Sequence, residues 1–205
     1  MEIIALTKSP MNIKNLFSSV AALFLLAVNA QAAFDFGTPS GSTPYEPYMR
    51  PVKQVLGGLD NHKATMDRVK ELLKVGYGFR YSFTEPYLAA SPAVTAKTRS
   101  GDCKAKSLWL IDQMGDNDVR YVIGKARRTS KISHAWVMWN DGSRWWILDP
   151  TNSSRPIAAD SVGNNEYIPL YSYDTGRAYR HAATSQFVAS ATSQNTPVAA
   201  TEARR

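Results

Sequence analysis

Apolar residues between positions 60 and 75 recur at helical spacing, with Met66, Val69, Leu72 and Leu73 on one stripe. Asp60 or Asn61 offers an N-cap and Gly76 a stop, so the pattern predicts an amphipathic helix over 60–75. A second helix is predicted from Gly101-Asp102 to Met114, closed by Gly115. Its residues Leu108, Trp109, Leu110 and Ile111 are apolar around most of the circumference, so this helix is expected to be buried rather than to present one dry stripe. Short runs rich in β-branched and aromatic residues predict strands at 119–124 (VRYVIG), 134–139 (HAWVMW) and 145–149 (WWILD). Residues 77–83 read as a short extended piece, 86–98 as loop and 125–131 as a basic loop.

The last two strands are joined by Asn140-Asp141-Gly142-Ser143. If Asp141-Gly142 makes a two-residue type I′ turn, Asn140 faces Ser143 and His134 falls directly opposite Asp149. Opposed residues share a face with Cβ atoms roughly 5 Å apart, within reach of a carboxylate for an imidazole N–H. One face then carries His134, Trp136, Met138, Trp145, Ile147 and Asp149, and the other Ala135, Val137, Trp139, Arg144, Trp146 and Leu148. Both faces are largely apolar, so the hairpin is expected to be covered on both sides or to lie against the buried helix. A four-residue loop about the same centre keeps this register; a three-residue loop with a bulge breaks it.

The ends read differently. Lys8 and Lys14 precede the apolar run at 20–28 (VAALFLLAV), followed by Ala30-Gln31-Ala32, the small-x-small pattern of a cleavable signal peptide over 1–32. Met11 offers an alternative start, and a retained anchor is the competing reading of a run rather short for a bilayer. Residues 33–58 begin dense in Gly, Pro, Ser and Tyr and are expected to form an extended arm. Residues 59–181 form the expected folded domain, and 182–205, dominated by Ala, Ser, Thr and Gln, a disordered tail. The leader places the protein in the periplasm or outside the cell, with no stable membrane insertion after cleavage.

With 24 Lys+Arg against 17 Asp+Glu the formal charge is +7, which suits anionic surroundings such as cell-wall polymer. No nucleic-acid reading element accompanies it, so nucleic acid is not an expected partner. A single cysteine excludes an intramolecular disulfide and a multi-cysteine zinc site, and neither metal nor cofactor is expected. That residue, Cys103, follows Gly101-Asp102 in the first turn of the buried helix, where unpaired backbone N–H groups and the helix dipole favour a thiolate. Lys104 and Lys106 add positive charge nearby.

Taken in order, Ser100-Gly101-Asp102-Cys103, Asp118-Val119-Arg120 with Gly124, His134-Ala135-Trp136-Val137 and Trp146-Ile147-Leu148-Asp149-Pro150-Thr151 resemble the core of the transglutaminase-like superfamily. The chain is especially similar to its bacterial transglutaminase-like cysteine proteinase branch, over about a third of its length at residues 92–152. The resemblance implies an α+β, papain-like fold, with the cysteine on a helix packed against an antiparallel sheet that presents His and Asp. It implies that Cys103 attacks an amide carbonyl, that His134 takes the thiol proton and returns it to the leaving amine, and that Asp149 orients the imidazolium. The thioester so formed passes to water or to an amine; hydrolysis is favoured, being commoner among small bacterial members. Lys104 departs from the acidic residue frequent at that position, and no Trp precedes Trp109 to complete an oxyanion hole. Tyr81 is the candidate for that second donor, beside the Cys103 backbone N–H.

Lys125, Arg127 and Arg128 lie just before His134 and are candidate substrate contacts, as is Trp136, although strand alternation among Trp136, Trp139, Trp145 and Trp146 favours core packing. His62 and His181 read as surface residues, and Asn152-Ser153-Ser154 as a glycosylation acceptor wherever that machinery exists. The favoured function is thus an exported thiol enzyme acting on protein or peptide amides, those of the cell envelope included. The alternatives are a non-catalytic cell-surface binding module that retains the fold, and an anchoring protein with a chance motif.

Overall fold

The computed structural model describes residues 35–84 and 87–183. The leader expected at 1–32 lies outside the described residues, as does the tail expected at 182–205 apart from its first two positions. Among the described residues four α-helices, α1 (Arg50–Gly57), α2 (Met66–Tyr77), α3 (Pro92–Thr98) and α4 (Cys103–Met114), accompany nine strands. These are β1 (Thr38–Ser40), β2 (Arg80–Tyr81), β3 (Ser100–Gly101), β4 (Val119–Arg127), β5 (His134–Asn140), β6 (Trp145–Leu148), β7 (Ile157–Ala158), β8 (Glu166–Tyr173) and β9 (Ala178–Arg180). Seven of them form one antiparallel sheet in the order β1-β9-β8-β4-β5-β6-β7, while β2 and β3 make a small parallel pair ahead of α4. This is the expected α+β architecture, with the cysteine-bearing helix against an antiparallel sheet. Among the described residues, no helix is long and apolar enough to cross a membrane.

The buried helix is as the pattern requires. Asp102 caps α4 by accepting from the Ala105 N–H at 3.1 Å, and Gly115 ends it at φ +64. Cys103, every residue from Ala105 to Ile111, and Met114 are buried. The first helix departs from expectation at both ends. It starts at Met66 because Thr65 accepts from the Arg68 N–H at 3.3 Å, while the preceding backbone is held by buried Asp116 through the Ala64 N–H at 2.9 Å. Gly76 is inside the helix rather than its stop, because a Cβ there would lie 2.8 Å from the Trp109 ring and 3.0 Å from Pro150. The glycine marks a close approach of α2 to the chain leaving Asp149.

Two segments expected to lack helix contain one. The arm over 33–58 supplies β1, which extends the sheet beside β9, and α1, whose Val52 and Leu56 are buried one turn apart. Pro51 sits in the first turn, where its missing N–H costs nothing, so the proline-rich composition misled. The predicted loop at 86–98 holds α3 for the same reason: Pro92 follows the N-cap Ser91, which accepts from the Val94 N–H. His181 is not a surface residue. It is buried between the Ser172 hydroxyl at 2.9 Å and the Asp35 carbonyl at 3.0 Å, whereas His62 is exposed.

The β5–β6 hairpin turns one residue later than predicted. Asn140 pairs with Trp145 and Val137 with Leu148, so the central residues are Gly142-Ser143, closed by Asp141 N–H to the Arg144 carbonyl at 3.2 Å. Asp141 is occupied in the closure, accepting from the N–H groups of Ser143 and Arg144 and from Trp146 Nε1. Gly142 takes the first central position at φ +92, where a β-carbon would be strained. This slips the register by two, an even number, so each side chain keeps its predicted face. Ala135, Val137, Trp139, Trp146 and Leu148 belong to the core under the helices; Trp136, Met138 and Ile147 pack with Val122, Ala159 and Tyr167 on the opposite face. The hairpin is covered on both sides.

Gly124 is where three strands meet most closely. It pairs with His134, and a Cβ there would be 2.2 Å from the Ile168 carbonyl oxygen and 2.6 Å from the Trp136 ring. Backbone cannot yield as a flexible side chain can, so Gly124→Ala should destabilise the fold by about 2 kcal/mol or more. Gly163→Ala, with nothing within 4 Å, should be near neutral. Denaturant unfolding of both checks this; equal stabilities would contradict the packing described.

Candidate active site

Cys103 is fixed by two ties. Its helix start is capped by Asp102, and one turn on Ser107 donates to the Ala135 carbonyl at 3.2 Å, pinning α4 to β5 beside His134. Asp102 is fully buried, and burial opposes its charge. The Lys104 ammonium, the Ala105 N–H and Thr84 more than reverse that, and hold its carboxyl below the ordinary value. Thr84 contributes both its N–H at 3.3 Å and its hydroxyl at 3.0 Å. Lys104 therefore clamps its own helix cap, with its ammonium also 5.1 Å from the centre of the Phe83 ring. Lys106 is buried, donates to the Phe79 carbonyl at 2.6 Å, and is shifted down by burial, with Asp149 opposing the shift.

His134, at the start of β5, meets Asp149, just past the end of β6. His134 Nε2 lies 2.8 Å from Asp149 Oδ2, although the register offsets the two residues. The bend at Asp149-Pro150 closes that gap. Burial alone would lower the His134 pKa; the hydrogen bond to Asp149, then that to Cys103, override it and raise the value to about 9. Asp149 is fully buried and its carboxyl is depressed: burial pushes it up, but His134 and the N–H donors of the following loop outweigh this. Its Oδ1 accepts from the backbone N–H groups of Thr151 and Asn152 at 3.0 and 3.2 Å. Its Oδ2 also accepts from Asn152 Nδ2 at 2.9 Å and the Tyr167 hydroxyl at 3.0 Å. A thiol at a helix start, an imidazole near it and a carboxylate holding that ring can together move a proton from sulfur and keep the resulting ion pair.

The other predicted site residues are placed less uniformly. Tyr81 pairs across Gly101, is 51% exposed, and has its pKa raised by burial and by the charges of Cys103 and Asp102. It is near Cys103 and open to solvent, as the expected second donor would be. Trp136 is 0% exposed and lies within the second core, so it is not a substrate contact. Its ring stacks against His134 at 6.1 Å and supports the imidazole from behind. Lys125 belongs to β4 and is half-buried, donating to the Lys131 carbonyl at 2.9 Å, and β4 runs through Arg127, so the basic loop begins three residues later than expected. Arg127 and Arg128 are exposed, the latter bonded to Asn165 Oδ1 and the Asn164 carbonyl.

Two residues in the cluster carry no sequence signal of their role. Asn152 had only the glycosylation pattern to mark it, and its side chain is engaged with Asp149. Tyr167 lies thirteen or more positions from every motif quoted above.

No protein-family model matches the chain, and no curated protein matches it. Among solved structures it is similar to Legionella pneumophila LapG in its calcium-bound form, at 15% identity and TM-score 0.48, over 66% of this chain and 77% of that one. A second LapG structure from that organism gives 15% identity and TM-score 0.47, over 72% and 84%. A Cytophaga hutchinsonii protein, provisionally described as a cysteine protease, gives 18% identity and TM-score 0.38, over 70% and 61%. The likeness concerns fold alone, and the chemistry rests on the residues of this chain.

Proposed function

We propose that the chain is an exported thiol enzyme that attacks amide bonds of proteins or peptides through Cys103, His134 and Asp149. The observation that carries this reading is the His134 imidazole held at 2.8 Å by a buried carboxylate, with the only cysteine close enough to bear on its charge. The ordered resemblance of residues 100–151 to the transglutaminase-like cysteine proteinases supports the same roles.

In this mechanism His134 takes the thiol proton and the thiolate adds to the amide carbonyl carbon, giving a tetrahedral oxyanion. Cys103, first residue of α4, contributes an N–H with no intrahelical acceptor, the kind of donor an oxyanion hole uses. Exposed Tyr81, across Gly101, is the proposed second donor. Collapse of the intermediate breaks the C–N bond as the imidazolium protonates the departing nitrogen, leaving a thioester on sulfur. Water, deprotonated by His134, adds to the thioester and releases the acid; an amine in its place would give transfer. Arg127 and Arg128, exposed ahead of His134, favour acidic substrate segments. The leader-like residues 1–32 support action in the periplasm or outside the cell.

Alkylation tests the ion pair. A free thiol is about 1% thiolate at pH 6.5, so wild-type protein should react with iodoacetamide there roughly 10–100 times faster than His134→Ala. Equal rates would favour the binding-module reading. Release of new amino groups from casein, with and without added amine, separates hydrolysis from transfer.

A further inference from the structure

We propose that Tyr167 is a positioning residue of the Cys103–His134–Asp149 site, its hydroxyl holding the carboxylate that holds the imidazole. This rests on the triad reading and extends it. Tyr167 is on β8, a strand contributing none of the three reacting side chains, and its hydroxyl donates at 3.0 Å to Oδ2, the same oxygen that receives His134. A carboxylate oxygen offers about two lone-pair directions, yet Oδ2 is approached by His134 Nε2, Asn152 Nδ2 and the Tyr167 hydroxyl. The tyrosine therefore competes for electron density that would otherwise favour the imidazolium, and it fixes the direction in which that density points.

The backbone gives an independent reason. Tyr167 has φ +44, one of two non-glycine residues with positive φ among the described residues, and it is a bulky aromatic within a strand. The left-handed region disfavours such a residue and persists only where the surroundings dictate it. What dictates it here is the ring's placement. The ring meets Trp136 in a T-shaped contact, ring centres 5.6 Å apart at 75°, and Trp136 in turn stacks on His134. Tyr167 thus touches the imidazole by two routes, through the carboxylate and through the indole. The charged and titratable groups that bear on it are Asp149, Glu166 and Arg127, while those on Asp149 are His134 and Lys106, with Cys103 beyond His134.

The test is the iodoacetamide alkylation rate of Cys103 from pH 5 to 10.5 in full-length wild type, Tyr167→Phe, Tyr173→Phe and His134→Ala. In wild type a plateau from the ion pair should be followed by a second rise near the His134 value of about 9. Tyr167→Phe keeps the ring and the packing but removes one donor, leaving Asp149 a stronger acceptor. The second rise should then move to higher pH by roughly 0.5–1 unit, as expected for one neutral hydrogen bond. Tyr173→Phe, on the same strand and more deeply buried but bonded to Thr43, should overlay wild type. A Tyr167→Phe profile that overlays wild type overturns the proposal, as does an equal shift in Tyr173→Phe, which would mean general packing. If wild type itself lacks a plateau that His134→Ala removes, the triad reading falls and this proposal falls with it.

Discussion

Cys103→Ala should abolish amide turnover, lowering kcat/KM on the order of 10⁴-fold or more, while leaving the fold in place. Alanine removes only a sulfur from a residue that is 9% exposed, and the cap that starts α4 belongs to Asp102, which the substitution does not touch. His134→Ala should cost nearly as much, and the double variant little more than either alone, because the proposed mechanism uses the two side chains in one proton-coupled step. Casein turnover with thermal unfolding as the control decides this. A Cys103→Ala protein retaining even a tenth of wild-type activity would remove the sulfur from the mechanism.

The second large effect is on stability across pH. The folded His134 pKa of about 9 exceeds its ordinary 6.5, so between these values the native state binds more protons than the unfolded chain. Its stabilising contribution is therefore complete below 6.5 and lost as pH rises through about 9, amounting to roughly 3 kcal/mol at most. Asp149 acts oppositely: depressed below its ordinary 3.8, it stabilises above that value, and the contribution disappears as pH falls through the lower folded value. His181, lowered by burial, stabilises above 6.5 and loses that contribution below it, so its limb is separable from that of His134. Denaturant titrations from pH 5 to 10 should show stability falling on the alkaline side in wild type and a flatter curve in His134→Gln. A slope unchanged in that variant would mean that the imidazole is not held as a cation. Asp149→Asn should lose the same slope and also be unstable at neutral pH, because five donors converge on the carboxylate and an amide cannot accept all of them.

How much of this was legible depends on distance along the chain. The helix-start cysteine, the buried helix and the two strands flanking Asp141 are local patterns, and they stand where periodicity and capping put them. The pairing of His134 with Asp149 was reached through an assumed turn that the protein does not use. Asp141-Gly142 and Gly142-Ser143 are both acceptable turn dipeptides, and the choice lies with the Asp141 carboxylate capturing the N–H groups that follow it. Proline hid α1 and α3, since composition weighs it as a breaker while structure places it harmlessly in a first turn. Trp136 reads as core by strand alternation, with a ligand platform as the lesser reading, and residues 157–167 are what cover it. Tyr167 was illegible because its role depends on a strand whose partner lies some forty positions earlier, at residues 119–127.

The even slip of the hairpin has a consequence for how this protein can diverge. Relatives that lengthen or shorten the 141–144 connection by two residues would keep the imidazole pointing at its carboxylate, whereas a change of one would turn the tryptophans inside out. Gene variation at this tip should accordingly be quantised in pairs, with single-codon changes surviving only where a bulge absorbs the odd residue before it reaches β6.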